Sequence, residues 1–266
     1  MDVSVARVVF LILAILAIST GFVFSVDPAL DLQVASFFRD VVAQPGMRGF
    51  PPFNEFVRDL GSLIIIAAIV PAVVAIVMKL FWPKQPAPLS SRSALFLILT
   101  LSLGPGLLVN GLLKEHWARP RPGMVTEFGG DNAFRPWWDP RGTCVSNCSF
   151  VSGETSSAVW LAAPVLLVPP PWRYVALAAV GLYGVGVAFI RMMAGGHFLS
   201  DVIFAGIFTG VVIWLVHGAL YRWSATRLQD QAIDSVLERV GSSIMRPFSA
   251  FLPSRAARPD KSTPPV

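Results

Sequence analysis

The stretch at residues 190–201, IRMMAGGHFLSD, sets an arginine, two adjacent glycines, a histidine and an aspartate between two long apolar runs. Residues 174–190 before it and 198–221 after it are almost free of charge. Each run approaches the roughly 20 residues that a helix needs to cross about 30 Å of hydrocarbon. The stretch therefore reads as a connection between two membrane helices, with its ionisable residues at one face of the bilayer. Ionisable groups at that depth are costly unless they pair or work. Working outward, similar runs occur at residues 5–26, 60–81, 93–113 and 154–168, which makes six predicted spans. A helix satisfies its own backbone N–H and C=O groups in lipid, so the expected fold is an all-α polytopic membrane bundle. Composition agrees, with 54% hydrophobic and 14% charged residues and a mean hydropathy of +0.63. Soluble proteins carry about 25% charged residues.

The connections differ in character. Residues 27–59 hold an amphipathic segment (Leu30, Val34, Phe37, Phe38 and Val41) and a Pro/Gly-rich turn, and are expected to lie in the interface. Residues 114–153 form a long polar loop, and Pro169, Pro170 and Pro171 a tight turn. Residues 1–221 read as one membrane domain, with its motifs within 93–221. Residues 222–266 read as a basic tail: a helix with Leu228, Ala232, Val236, Val240 and Ile244 at helical spacing, then a disordered end. The first run is long and has no small-x-small site before Asp27, so it reads as a span rather than a cleaved leader. Lysine and arginine are in excess on the segments that lie inside if the N-terminus does, which places both termini in the cytoplasm. The net charge of +5 and pI near 9.7 then belong to flanking loops. No basic run interleaves with aromatics, so no nucleic-acid partner is expected, and nothing marks an obligatory protein partner.

Three clusters carry the ionisable residues. KEHWARPRP, at the end of span three, puts Lys114 and Arg121 seven residues apart, on one face of a continuing helix. FVSGETSS, at the start of span four, contains Ser152, Gly153 and Glu154. Arg191 closes span five, and His197 and Asp201 open span six at i, i+4 spacing, expected on one face of one helix. Spans three and five run one way and four and six return, so all three clusters reach the same side of the membrane. Taken alone, Lys114 and Arg121 would read as interfacial anchors and His197–Asp201 as a structural pair; together they read as a site. Trp117, Trp137 and Trp138 read as interface anchors, and His116 and His217 as lying outside the site. Cys144 and Cys148, four apart in the polar loop, are either free thiols or one small disulfide. Their expected place outside the membrane, where oxidation is allowed, favours the disulfide.

Lys-x6-Arg-Pro, a Ser-Gly pair and Arg-x5-His-x3-Asp together resemble the phosphatidic acid phosphatase type 2 superfamily, which also includes vanadium haloperoxidases. The resemblance covers roughly residues 60–221. It implies a phosphohistidine mechanism in which His197 is the nucleophile and Asp201 orients its imidazole. Lys114, Arg121 and Arg191 would hold the phosphoryl oxygens, helped by Ser152 and the Gly153 amide. Two positions depart from the family pattern. Val151-Ser152-Gly153-Glu154 stands for Pro-Ser-Gly-His, and Ile190-Arg191 for Ser-Arg, so Glu154 either takes over the job of the leaving-group acid or leaves it undone. Three cations suit phosphoryl transfer, which needs mainly positioning and charge stabilisation. No cluster has metal-ligand spacing, and no cofactor is expected.

The function implied is hydrolysis of a lipid phosphomonoester or diphosphate at the outer, periplasmic face of a bacterial inner membrane. Lipid A phosphate, undecaprenyl diphosphate, phosphatidylglycerol phosphate and phosphatidic acid are the candidate substrates. The alternatives are transfer of the phosphoryl group to an acceptor lipid, and a non-catalytic binder or transporter of phosphate-lipids.

Overall fold

A computed structural model describes residues 3–47 and 49–249. The main helices are α1 (Val3–Val26), α2 (Ala29–Val42), α3 (Phe50–Phe81), α4 (Ser91–Leu101), α5 (Lys114–His116), α6 (Gly153–Trp160), α7 (Ala162–Leu166), α8 (Trp172–Met193), α9 (Leu199–His217) and α10 (Asp230–Ser249). Between α4 and α5 the helix continues over Ser102–Leu113 with a hydrogen-bond ladder one residue wider. Pro105 lies inside this stretch and cannot donate to the ladder. Asn110 Nδ2 donates to the Pro105 carbonyl at 2.7 Å.

Among the described residues, five helical runs are long and apolar enough to cross a membrane: Val3–Val26, Pro45–Phe81, Ser91–His116, Trp172–Met193 and Leu199–Arg222. Their outer faces are apolar, with Ile18, Phe22, Leu63, Leu182 and Phe189 all exposed. Such a surface is stable against lipid, not water.

The segment expected as a single helix over 154–168 is instead α6 followed by α7, of 8 and 5 residues. The joint is Leu161: Pro164, in the first turn of α7, has no N–H for the Trp160 carbonyl four residues back, and Pro169 follows the end of the run, so the helix stops short of the length lipid demands. Trp160 and Ala163 on the pair are fully enclosed by neighbouring helices. The pair still carries the chain from the motif end to the opposite end, where α8 begins, so the parity of the clusters is kept.

α3 starts ten residues earlier than expected, with prolines in its first turn, where the missing N–H costs nothing. The amphipathic segment forms α2 as expected, burying Asp31, Ala35 and Phe38. α10 packs against α3 and α4, tied by Lys79 Nζ to Asp234 at 3.4 Å and by Ser91 to the same carboxylate. Its Val236, Val240 and Ile244 remain exposed. The end expected to be disordered lies beyond the described residues.

The loop over 117–152 covers the motif end. Trp117 stacks on Phe150 at 5.0 Å and Trp137 lies 4.4 Å from Phe204. Trp117 Nε1 donates to the Trp137 carbonyl at 2.7 Å. These two tryptophans fasten the loop to α9 rather than anchoring an interface; Trp138 is exposed.

Candidate active site

His197 sits in the turn between α8 and α9, and its side chain is 1% exposed. Its Nδ1 lies 2.7 Å from the Ser149 carbonyl oxygen, which can only accept, so Nδ1 carries the proton. Nε2 therefore presents a lone pair. It has no hydrogen-bond partner and lies 3.7 Å from Glu154 Oε2. Burial pushes the imidazole below its ordinary pKa, against the pull of Glu154 and Asp201, and so favours the neutral, nucleophilic form.

Asp201 is not the direct partner that the i, i+4 spacing suggested. α9 begins only at Leu199, so His197 stands outside the helix and the two side chains are 4.0 Å apart. Asp201 instead accepts from Phe198 N at 2.8 Å, from Ser149 Oγ and from Arg119 Nη1. It holds Ser149, whose carbonyl holds the histidine.

Arg119 was not singled out by its motif and is fully buried. Besides Asp201 it donates to Asp31 Oδ2 at 2.7 Å, Ser200 Oγ at 2.9 Å and the Arg135 carbonyl at 2.9 Å. Asp31 also accepts from Ser200 N at 2.9 Å. α2, the covering loop and α9 thus meet in one buried network under the histidine.

Above Nε2 the other motif residues converge. Lys114, Gly153, Glu154 and Arg191 line a cavity of about 440 Å³ between α3, α6 and α8, whose far wall includes Ile65, Ile66 and Val187. Arg191 Nε and Arg58 Nε each lie 3.5 Å from Glu154 Oε1, and Asn54 Oδ1 accepts from Arg191 Nη1 at 3.2 Å. Arg58 and Asn54, on α3, carry no motif signal; only the packing of α3 brings them here. Ser152 caps α6, its hydroxyl accepting from Thr155 N, which leaves the Gly153 turn as an anion-favouring helix start.

A Cβ at Gly153 would stand 2.7 Å from Asn110 Oδ1 and 3.0 Å from Lys114 Nζ. Gly153→Ala is expected to push the ammonium aside and lower kcat/KM about 100-fold with little change in melting temperature. Wild-type kcat/KM in that variant would show that Lys114 has no need of this close approach.

Arg121 is half-buried, donating to Asn147 O at 2.8 and 3.0 Å and to Asn147 Oδ1 at 2.8 Å. Lys114 Nζ reaches the same Oδ1 at 3.4 Å. Asn147 has a left-handed backbone (φ +48) and lies inside the Cys144–Cys148 disulfide loop. Asn147→Ala should free Lys114 and remove one of the three bonds to Arg121, the two to the backbone carbonyl remaining, and raise KM for a lipid phosphate about tenfold. Reduction of the disulfide should shift KM the same way by less; an unchanged KM in Asn147→Ala refutes this positioning role.

A helical membrane core with a buried, lone-pair-bearing histidine under a ring of cations defines a phosphate-ester hydrolase embedded in lipid. The chain matches the PAP2 superfamily over residues 94–225 and belongs to it. It is 37% identical over 201 residues to a lipid A 4'-phosphatase of Francisella tularensis subsp. novicida (strain U112), covering 75% of this chain and 90% of that one. A lipid A 4'-phosphatase of Rhizobium leguminosarum is 37% identical over 71% of this chain and 87% of its own length. The corresponding protein of Rhizobium etli is 39% identical over 68% and 75%. The crystal structure of a transmembrane PAP2-type phosphatidylglycerolphosphate phosphatase from Bacillus subtilis superposes with a TM-score of 0.50 at 20% identity, over 80% of this chain and 94% of that one. That likeness concerns the fold. The protein is an integral membrane lipid phosphatase acting on a lipid substrate.

Proposed function

We propose that this phosphatase removes a phosphate monoester from a glycolipid of the lipid A class, through a phosphohistidine on His197. The unpartnered Nε2 of His197, 3.7 Å from Glu154 Oε2 at the wall of the cavity that Lys114, Gly153 and Arg191 also line, carries this reading. The substrate class rests on the lipid A 4'-phosphatase activity named for the relatives.

In the first step Nε2 attacks phosphorus and the bond to the sugar oxygen breaks. Lys114, Arg191, Arg121, Ser152 and the Gly153 amide hold the phosphoryl oxygens. The substrate enters as the phosphate monoanion, and its remaining proton passes to the Glu154 carboxylate, whose charge the phosphoryl group would otherwise repel. Glu154 then gives it to the departing sugar oxygen. In the second step water attacks the phosphohistidine and Glu154 takes the water's proton; the P–N bond breaks, Glu154 returns that proton to the departing phosphate, and the histidine is restored. Ser149 and Asp201 keep the imidazole in its reactive tautomer throughout.

Glu154→Gln separates this acid role from a purely electrostatic one. A large loss is expected on a lipid monophosphate, a smaller one on a lipid diphosphate, whose leaving group departs without protonation, and the high-pH limb should vanish. Equal effects on both substrates would exclude Glu154 as proton donor.

Two features support a site at the outer face of a bacterial inner membrane, with both termini in the cytoplasm. Lysine and arginine favour that orientation, and the disulfide at the motif end suits an oxidising compartment. The decisive assay measures phosphate release by the purified protein from lipid A phosphorylated at either end, undecaprenyl diphosphate, phosphatidylglycerol phosphate and phosphatidic acid. Preference for a glycerolipid would overturn the glycolipid assignment. Label recovered on an acceptor lipid instead of free phosphate would identify a phosphotransferase.

A further inference from the structure

At the end of the bundle away from His197, a cavity of about 430 Å³ is lined by Arg92, His217, Tyr221, Arg222, Arg227 and Gln229. Arg92 lies at the start of α4, whose continuation reaches Lys114 about 33 Å further along the helix axis at 1.5 Å per residue. This cavity is therefore separate from the catalytic one.

Its cations are held in place but not neutralised. The Arg92 guanidinium lies over the Tyr221 ring at 4.5 Å and that of Arg222 over Trp214 at 4.7 Å. Stacking fixes a guanidinium by its face and leaves its edge for an oxyanion. Arg92 Nη1 donates to the Leu228 carbonyl at 3.3 Å and Arg222 Nη2 to the Trp214 carbonyl at 2.7 Å. Nε of both arginines is buried without a hydrogen-bond partner. His217, which is 5% exposed, lines the same cavity and its Nδ1 likewise has none. Among the described residues, Asp230 is the only carboxylate in an ion pair with any of these cations, 3.8 Å from Arg92 Nη2. Three arginines against one carboxylate leave the cavity net positive.

We propose that this cavity binds the phosphate of an anionic lipid headgroup. The cavity lies at the ends of the apolar runs Ser91–His116 and Leu199–Arg222, the level at which headgroups sit. α10 begins one residue after Gln229 of the cavity wall, and along it the exposed Val236, Val240 and Ile244 form an apolar stripe suited to acyl chains. Basic pockets between membrane helices recognise phosphate headgroups through this combination of charge and level.

Native mass spectrometry of the detergent-purified full chain tests it, with phosphatidylglycerol, phosphatidylcholine and inorganic phosphate as probes. Wild type should retain phosphatidylglycerol over phosphatidylcholine. The Arg222→Gln/Arg227→Gln double variant should lose affinity about fivefold per arginine while keeping wild-type phosphatase activity. Lys114→Ala should retain the lipid, since its change is confined to the catalytic cavity. Equal retention by the double variant overturns the proposal, as does loss of the lipid in Lys114→Ala. Arginine-dependent binding of inorganic phosphate without lipid retention overturns the headgroup in favour of a free anion. If the double variant does not fold, Arg227→Gln alone, at an exposed position, carries the same comparison.

Discussion

His197→Ala is expected to abolish turnover, with kcat falling by at least about 10⁴-fold while the lipid still binds. The variant keeps Lys114, Arg191 and the Gly153 turn, so affinity for the phosphate group should survive. Rapid quench with a ³²P-labelled lipid should trap an acid-labile phosphoprotein in wild type and none in the variant. His197→Gln should be equally inactive, because an amide offers no nucleophilic lone pair. Full activity in either variant would end the phosphohistidine reading and leave the cation ring as a binding site only. Asp201→Asn should act indirectly, through the loosened Ser149 carbonyl, and lower kcat more than it raises KM. That split distinguishes a positioning role from contact with substrate.

Arg119→Ala should produce the largest loss of stability. Its guanidinium is 0% exposed and bridges Asp31 and Asp201, which are 1% and 0% exposed. Removing the cation leaves two buried carboxylates facing each other without compensation, a loss of about 3–5 kcal/mol by analogy with other broken buried pairs. For a chain of this size that lowers the melting temperature on the order of 10 °C. Arg119→Lys restores charge but not the fork that serves two carboxylates, a hydroxyl and a carbonyl, so it should recover only part of the loss. Asp31→Asn should destabilise less and leave kcat near wild type, because Asp201 keeps its arginine. Differential scanning fluorimetry in detergent reads all three. A melting temperature for Arg119→Ala within a degree or two of wild type would show that the network contributes little.

Much of the site was legible in the sequence because its residues stand at the ends of apolar runs. Charge at the end of a span is conspicuous, and the alternation of crossings alone brings Lys114, Glu154, Arg191 and His197 to one face. The structure places Lys114, Glu154 and Arg191 around one cavity, with His197 Nε2 3.7 Å from Glu154 and with Arg121 tied to the asparagine that Lys114 also reaches. Arg119 was hidden because a polar loop with several arginines offers no periodicity to single one out. Its partner Asp31 is 88 residues away and meets it only when α2 docks. Arg58 was hidden for a similar reason: the Pro-rich start of α3 read as a turn.

By itself the sequence determined that the chain is a helical membrane protein and that its motif residues gather at one end of the bundle. Both follow from local quantities, the length of apolar runs and the number of crossings. Tertiary structure decided the rest. It replaced a full fourth helix with α6 and α7, because neighbouring helices enclose the pair and relieve it of spanning the lipid unaided. It also gave the imidazole proton to the Ser149 carbonyl rather than Asp201. The helix begins after His197, and a hydrogen bond answers to distance in space, not to spacing along the chain.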